Sequence, residues 1–399
     1  MKRTRFAAVC CAVALALALP LPTIADVATA EEIPADLASR LTTEQQRAFL
    51  AYRAARAQYA REHQVYWSRV DAKREVRKAK RIVRQEFDAN DYVQTHPPKY
   101  RGPPLPPDVA KIIAQLRPQT EEPQSLPTVT DFLANARAQF GFVPKRAPEP
   151  EFKRRYASEA LRLGLTKDQV VRVYALETGG MGTYDMQSGI NPVTRQGRAI
   201  SSALGYAQLL HANSVGVVVK HGEEFVHRLH AMAAQPGTSP ERAAELRAKA
   251  AILRKMIRVA RTVPNEWSVH QRFATTPPGL GIHAINLDAD LGPWVQVVKL
   301  KGLKDDAINA GRPHLNGAEI ELMNLAGPRT GLEMMTPVGS RMPTSNFFSE
   351  GGYSRNPVVH EKTGGELLAA LDQRMEVHLK KPGSIEFAQI FDEVARAMR

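Results

Sequence analysis

Residues 166–180 read Thr-Lys-Asp-Gln-Val-Val-Arg-Val-Tyr-Ala-Leu-Glu-Thr-Gly-Gly, and residues 201–210 read Ser-Ser-Ala-Leu-Gly-Tyr-Ala-Gln-Leu-Leu. The first stretch predicts a helix with both ends marked. Thr166 and Gln169 fit a capping box, in which each side chain accepts from the other's backbone N–H. Gly179 and Gly180 stop the helix. Between them Val170, Val173, Tyr174 and Glu177 fall at i, i+3, i+4 and i+7 and so share one face. A carboxylate on an apolar face is partly buried, and desolvation raises its pKa. The helix C-terminus adds to this, because its partial negative charge disfavours a second one by up to about 1 kcal/mol. A glycosidase general acid needs a carboxyl that stays protonated near neutral pH. The alternative is a glutamate turned to solvent or paired with an arginine.

Outward from this stretch the pattern is helical. Downstream, helices are expected at 201–221, 239–261, 317–326, 363–379 and 384–397, the second opened by Ser239-Pro240. The segment 182–200 is the main candidate for a small hairpin, and Pro277-Pro278-Gly279 and Gly351-Gly352-Tyr353 read as turns. Upstream, helices are expected at 151–163, 128–141 and 108–116. Prolines at 97, 98, 103, 104, 106 and 107 mark a linker or extended strap. Residues 42–87 form a long helix or helical pair, with Phe49, Tyr52, Tyr59, Tyr66 and Val70 as one apolar docking stripe. Lys73, Arg74, Arg77, Lys78, Lys80, Arg81 and Arg84 face Glu75 alone over the end of it. They form a solvated face or a contact for an anionic envelope polymer or protein partner.

The N-terminus bears on compartment. Lys2, Arg3 and Arg5 precede an apolar run from Phe6 to Leu19, and Ala28-Thr29-Ala30 offers a cleavage site. That order is a secretory signal peptide, and the run is too short to span a bilayer. The expectation is export, to the periplasm or beyond. Both cysteines, Cys10 and Cys11, lie in this segment, so the rest of the chain has no disulfide, thiolate nucleophile or Cys-based zinc site. Residues 1–30 hold three of the 54 basic and one of the 41 acidic residues, leaving +11 on the remainder. For an exported chain such charge suits anionic envelope polymers, and no nucleic acid is expected.

The two opening stretches resemble the lysozyme-like superfamily, and most of all the soluble lytic transglycosylases. In that family a helix ends in Glu-Ser, a loop follows, and a Gly-x-x-Gln segment opens the next helix. Glu177-Thr178 stands at the Glu-Ser position, and Ser202, Gly205 and Gln208 match Ser-x-x-Gly-x-x-Gln. Met323-Asn324-Leu325-Ala326-Gly327-Pro328 is similar to the family's later Tyr-Asn-Ala-Gly-Pro segment, with Met323 in place of Tyr and Leu325 interposed. The resemblance implies cleavage of the MurNAc–GlcNAc bond in peptidoglycan, without a cofactor. Glu177 would act as acid and then base while the substrate's N-acetyl group attacks the anomeric carbon. The product would be a 1,6-anhydro-muramyl end. Thr178, Ser202, Gly205, Gln208 and Asn324 would bind substrate, and Tyr184 and Tyr206 could stack on sugars or serve as ordinary core or rim aromatics. Asp185 offers a second carboxylate for a hydrolytic lysozyme. A non-catalytic envelope-binding or scaffold protein on the same fold is the alternative.

The expected fold class is therefore mainly α: a lysozyme-like helical domain with a small hairpin, preceded by a long N-terminal helix and a Pro-rich linker. The expected division is 1–30 signal peptide, 31–93 basic helical region, 94–127 linker and 128–399 catalytic domain with a helical C-terminal part. No histidine set has metal-ligand spacing, and Gly-rich phosphate loops and Gly-x-Ser-x-Gly are missing.

Overall fold

A computed structural model describes residues 33–116, 126–191 and 193–399. The signal-peptide expectation for 1–30 lies outside the described residues, as does part of the linker, 117–125. The protein is mainly helical. In chain order the helices are α1 (Ala35–Ala38), α2 (Thr43–Ile82), α3 (Pro107–Leu116), α4 (Val129–Phe140), α5 (Glu149–Arg162), α6 (Lys167–Thr178), α7 (His211–Ala234) and α8 (Pro240–Ala260). They continue as α9 (Trp267–Phe273), α10 (Pro277–His283), α11 (Leu291–Asn309), α12 (Gly317–Ala326), α13 (Pro328–Met334), α14 (Glu350–Arg355), α15 (Gly364–Leu379) and α16 (Pro382–Ala397). No described residue forms a strand; single antiparallel bridges Gln187–Leu204 and Ile190–Gly197 stand where the hairpin was expected.

The chain divides into two compact units. The first holds the described residues 33–116 together with 334–367, so a segment of the expected 128–399 domain folds with the N-terminal helix. Its axis is α2, opened by the Thr42–Gln45 capping box. The tyrosine stripe is a docking face. Tyr52 and Tyr59 meet Tyr100 edge-on at 6.3 and 5.7 Å, and the Tyr66 hydroxyl bonds Ser345 at 2.6 Å. The proline-rich segment is thus a strap laid along α2, and Leu37, Leu41, Phe49 and Val109 close a small core beside it.

The basic end of α2 is largely committed to this unit. Arg77 is 3 % exposed; it donates to the carbonyls of Asp91 (2.9 Å) and Asn346 (2.7 Å) and lies over the Tyr92 ring. Arg74 donates to the Phe348 carbonyl, Lys73 to that of Asn90, and Lys80 pairs with Asp88 and Asp91. Arg81 lies over Phe87 and Lys78 pairs with Glu75. Arg84 is exposed. Of these cations Arg77 is buried, and carbonyls or carboxylates of the same unit partner it, Lys73, Arg74, Lys78 and Lys80.

The second unit holds the described residues of 126–333 and 368–399. Its core is an aromatic stack: Tyr174 of α6 meets Tyr206 at 5.0 Å and Phe387 of α16 at 5.2 Å, and Phe152 of α5 meets Tyr206 at 5.5 Å. A buried ion cluster fixes the entry to α11. Lys249 pairs with Asp288 (2.8 Å) and Asp290 (2.5 Å), and Arg242 and Arg155 also reach Asp290.

Two expectations differ from the structure in this unit and one in the first, and one helix here was not expected. The helix expected over 201–221 begins only at His211, because Gly205 (φ +79°) and Gln208 (φ +41°) lie in the left-handed region and turn the chain. Helix α11 is buried on every side over residues 291–298 and carries no amphipathic signal. Pro277-Pro278-Gly279 opens α10, with Thr276 as N-cap and Pro at the first turn. Likewise Gly351-Gly352-Tyr353 lies in α14, capped by Ser349.

Candidate functional site

Helix α6 forms as its sequence dictates. The Thr166 hydroxyl accepts from the Gln169 N–H at 3.2 Å, the Gln169 amide oxygen accepts from the Thr166 N–H at 3.1 Å, and Gly179 caps the far end at φ +64°. Val170, Val173 and Tyr174 turn into the core, which sets Glu177 in the last turn beside α12. There the Asn324 amide Nδ2 donates to Glu177 Oε1 at 2.9 Å. The same nitrogen reaches both oxygens of Glu321, at 3.3 and 3.2 Å. The Asn324 nitrogen thus bridges the carboxyls of Glu177 and Glu321, which act on each other electrostatically. The structure thus brings together Glu177 and Asn324, residues 147 apart in sequence.

Burial dominates the electrostatics of this cluster. It pushes the Glu177 carboxyl up to about 7, against the opposing pull of Lys299, the hydrogen bonds from Glu321 and Asn324, and Arg374. Glu321, only 4 % exposed, is held well above the usual carboxylate range by burial and by the neighbouring Glu177 charge. Burial also lowers the Lys299 ammonium, while both carboxyls raise it. Glu177 itself is only partly buried. On the Asn324 amide, Oδ1 is buried without a hydrogen-bond partner. A group of this kind forfeits about 1–3 kcal/mol of solvation until a donor reaches it. Chemically, the cluster combines a protonated acid, a fixed amide donor and a nearby cation.

The other expected site residues have different surroundings. Thr178 is 1 % exposed and its hydroxyl donates back to the Tyr174 carbonyl at 2.7 Å. Tyr206, 1 % exposed, belongs to the aromatic core and donates its hydroxyl to Glu149. Tyr184, 6 % exposed, stacks on Phe152 at 4.3 Å and has Arg146 over its ring at 4.9 Å. Of the two roles expected for these rings, the structure places both as core aromatics. Gln208 and Gly205 build a tight turn, in which the Gln208 amide donates to the carbonyls of Gly205 (2.8 Å) and Met186 (3.3 Å). A Cβ on Gly205 would strike the Gln296 amide of α11. Ser202 bonds His211 Nδ1 at 2.7 Å and accepts from the His211 N–H, which ties the turn to the start of α7. Ser202, Gly205 and Gln208 thus shape the loop between α6 and α7.

Asp185 is held by three neighbours: Arg146 (2.5 Å), Arg195 (3.2 Å) and the Thr183 hydroxyl (2.6 Å). Burial alone would raise its pKa, but Thr183, Arg195 and Arg146 together outweigh burial and hold it low. It lines a cleft of about 180 Å³ with Thr128, Met186, Ile190 and Arg195. A carboxylate held this way is a weak base.

Sequence reasoning missed Glu321, Lys299 and Arg374. Glu321 was findable by the argument that selected Glu177, since it is a carboxylate among the apolar residues Ile320, Leu322 and Met323 and lies three residues before Asn324. Met323, where the resemblance has tyrosine, is fully buried against Gly331. Among the described residues no group of three or more His, Cys, Asp or Glu is placed to hold a metal ion, and no helix is long and apolar enough to cross a membrane. Compared with protein-family models, with curated proteins and with solved structures, the chain matches none.

Proposed function

We propose that the protein is an exported lytic transglycosylase on a lysozyme-like helical fold, cleaving the MurNAc–GlcNAc bond of peptidoglycan with Glu177 as its acid. The observation that carries the reading is the pairing of a carboxyl pushed up to about 7 with the Asn324 amide at 2.9 Å. These are the acid and the later asparagine of the sequence resemblance. An acid of this pKa is protonated often enough near neutral pH to protonate a leaving oxygen, and it is basic enough to recover a proton. In the reaction proposed, Glu177 protonates the glycosidic oxygen as the C1–O bond breaks and the substrate's N-acetyl oxygen closes on C1. The C6 hydroxyl then attacks C1, displaces the N-acetyl oxygen and returns its proton to Glu177. The low basicity of Asp185 favours this route over hydrolysis through a second carboxylate.

The burial of Thr178, Tyr184 and Tyr206 favours a second reading, a non-catalytic envelope-binding or scaffold protein. Digestion of isolated sacculi by the mature protein, read by mass spectrometry, separates the two. Anhydro-muropeptides from the wild type and none from Glu177→Gln support the first. Reducing ends indicate hydrolysis, and binding without products supports the second.

A further inference from the structure

The Glu177–Glu321 pair carries an additional role, which rests on the reading of Glu177 as the acid. Two ionised carboxylates have only acceptor oxygens and cannot hydrogen-bond to each other. Asn324 Nδ2, within 3.3 Å of both, holds the two carboxyls side by side, and a hydrogen bond between them needs a proton on one of them. This arrangement does not suit Glu321 as nucleophile or water-activating base. Those roles need carboxyls about 5–5.5 Å or about 6.5–9.5 Å apart, on either side of a sugar. Glu321 is also the deeper of the two, at 4 % exposure against a partly exposed Glu177.

We propose that Glu321 is a positioning residue: it stays protonated and donates its O–H to Glu177, stabilising the Glu177 carboxylate left after proton transfer. Asn324 supplies a second donor from the same helix. The charged groups acting on the pair are Lys299 from α11 and Arg374 from α15. The remaining charged groups of α15 have other partners: Glu366 accepts from the Thr363 N–H, Asp372 and Glu376 are held by Arg172, and His378 Nδ1 bonds the Ala175 carbonyl. When Glu177 gives up its proton, its new charge meets two fixed donors and a cation without rearrangement, the kind of preorganisation that lowers a barrier. The O–H of Glu321 moves no further; the proton that travels is that of Glu177 alone.

The test uses the whole protein with ¹³C-labelled glutamate and follows side-chain carboxyl resonances by NMR from pH 4 to 9. The Glu177 signal is assigned by its loss in Glu177→Gln and the Glu321 signal by its loss in Glu321→Gln. In the wild type the Glu321 resonance should remain that of a protonated acid through pH 7. Glu321→Gln keeps a neutral donor and should leave the Glu177 midpoint within about 0.3 pH unit. Glu321→Leu removes a charge-assisted hydrogen bond and should raise that midpoint by about one to two pH units. The alkaline limb of sacculus cleavage should move with it. A wild-type Glu321 that titrates below pH 6 would overturn the proposal, and this outcome needs no variant to fold. A Glu177 midpoint that falls in both variants would overturn it too, because Glu321 would then carry charge. Absence of cleavage by the wild type defeats the functional reading alone and leaves the NMR titration to decide the role of Glu321.

Discussion

Glu177→Gln is expected to abolish part of the loss of stability that the second unit suffers as pH rises. The native carboxyl keeps its proton up to about 7, against an ordinary value of 4.5. Across that interval the native state binds more protons than the unfolded state, so the unfolding free energy falls as pH increases. The stabilisation is fully present below about 4.5 and is lost as pH passes 7. At about 1.4 kcal/mol for each pH unit, the interval amounts to roughly 3 kcal/mol. Glutamine is an uncharged near-isostere of the protonated acid. Variant and wild type should therefore agree at pH 4.5 and diverge to roughly 3 kcal/mol in favour of the variant at pH 8. Hydrogen exchange of the α6 amides in urea, at constant ionic strength, isolates this unit from the other. Parallel stability curves for the two proteins from pH 4.5 to 8 would refute the argument, because the Glu177 proton would then be bound equally in both states.

Other perturbations probe the frame around the cluster. Lys249→Met leaves Asp288 buried without its cation, while Asp290 keeps Arg242 and Arg155, and should cost about 3–5 kcal/mol in urea unfolding; an unchanged midpoint contradicts the ion cluster. Gly205→Ala forces a side chain into φ +79° and against the Gln296 amide, for an expected loss of about 1–3 kcal/mol by thermal melting. Asp185→Asn should leave anhydro-muropeptide yield within about tenfold of wild type, whereas loss of a true general base would cost about 10²–10⁴-fold.

The helices with marked ends were legible in the sequence. Thr166-Lys167-Asp168-Gln169 fixed the start of α6, Ser239-Pro240 that of α8, and the tyrosine spacing fixed the docking face of α2. Elements whose burial is uniform were not legible. Helix α11 has apolar residues on every side, so no period distinguishes it, and Lys299 went unnoticed with it. The Gly205–Gln208 turn was misread for the opposite reason: its residue types suit a helix start, and only the positive φ values reveal a reversal. Glu177 and Asn324 were found from local pattern; the same pattern marks Glu321 as a carboxylate among apolar neighbours, but its pairing with Glu177 comes from another helix.

The interleaving of the first unit sets an order on its assembly. Tyr66 waits for Ser345, 279 residues further on, and Arg77 waits for Asn346, 269 further on. Closing such distances gives up chain entropy before any contact repays it, and long-range closure slows folding. The forty-residue helix meets Tyr100 and Asp91 early, but its packing is complete only when Ser345 and Asn346 arrive. The surplus of arginine and lysine along that helix then acquires a kinetic sense, since like charges on exposed helices keep them apart until the distant carbonyls of Asn346 and Phe348 arrive.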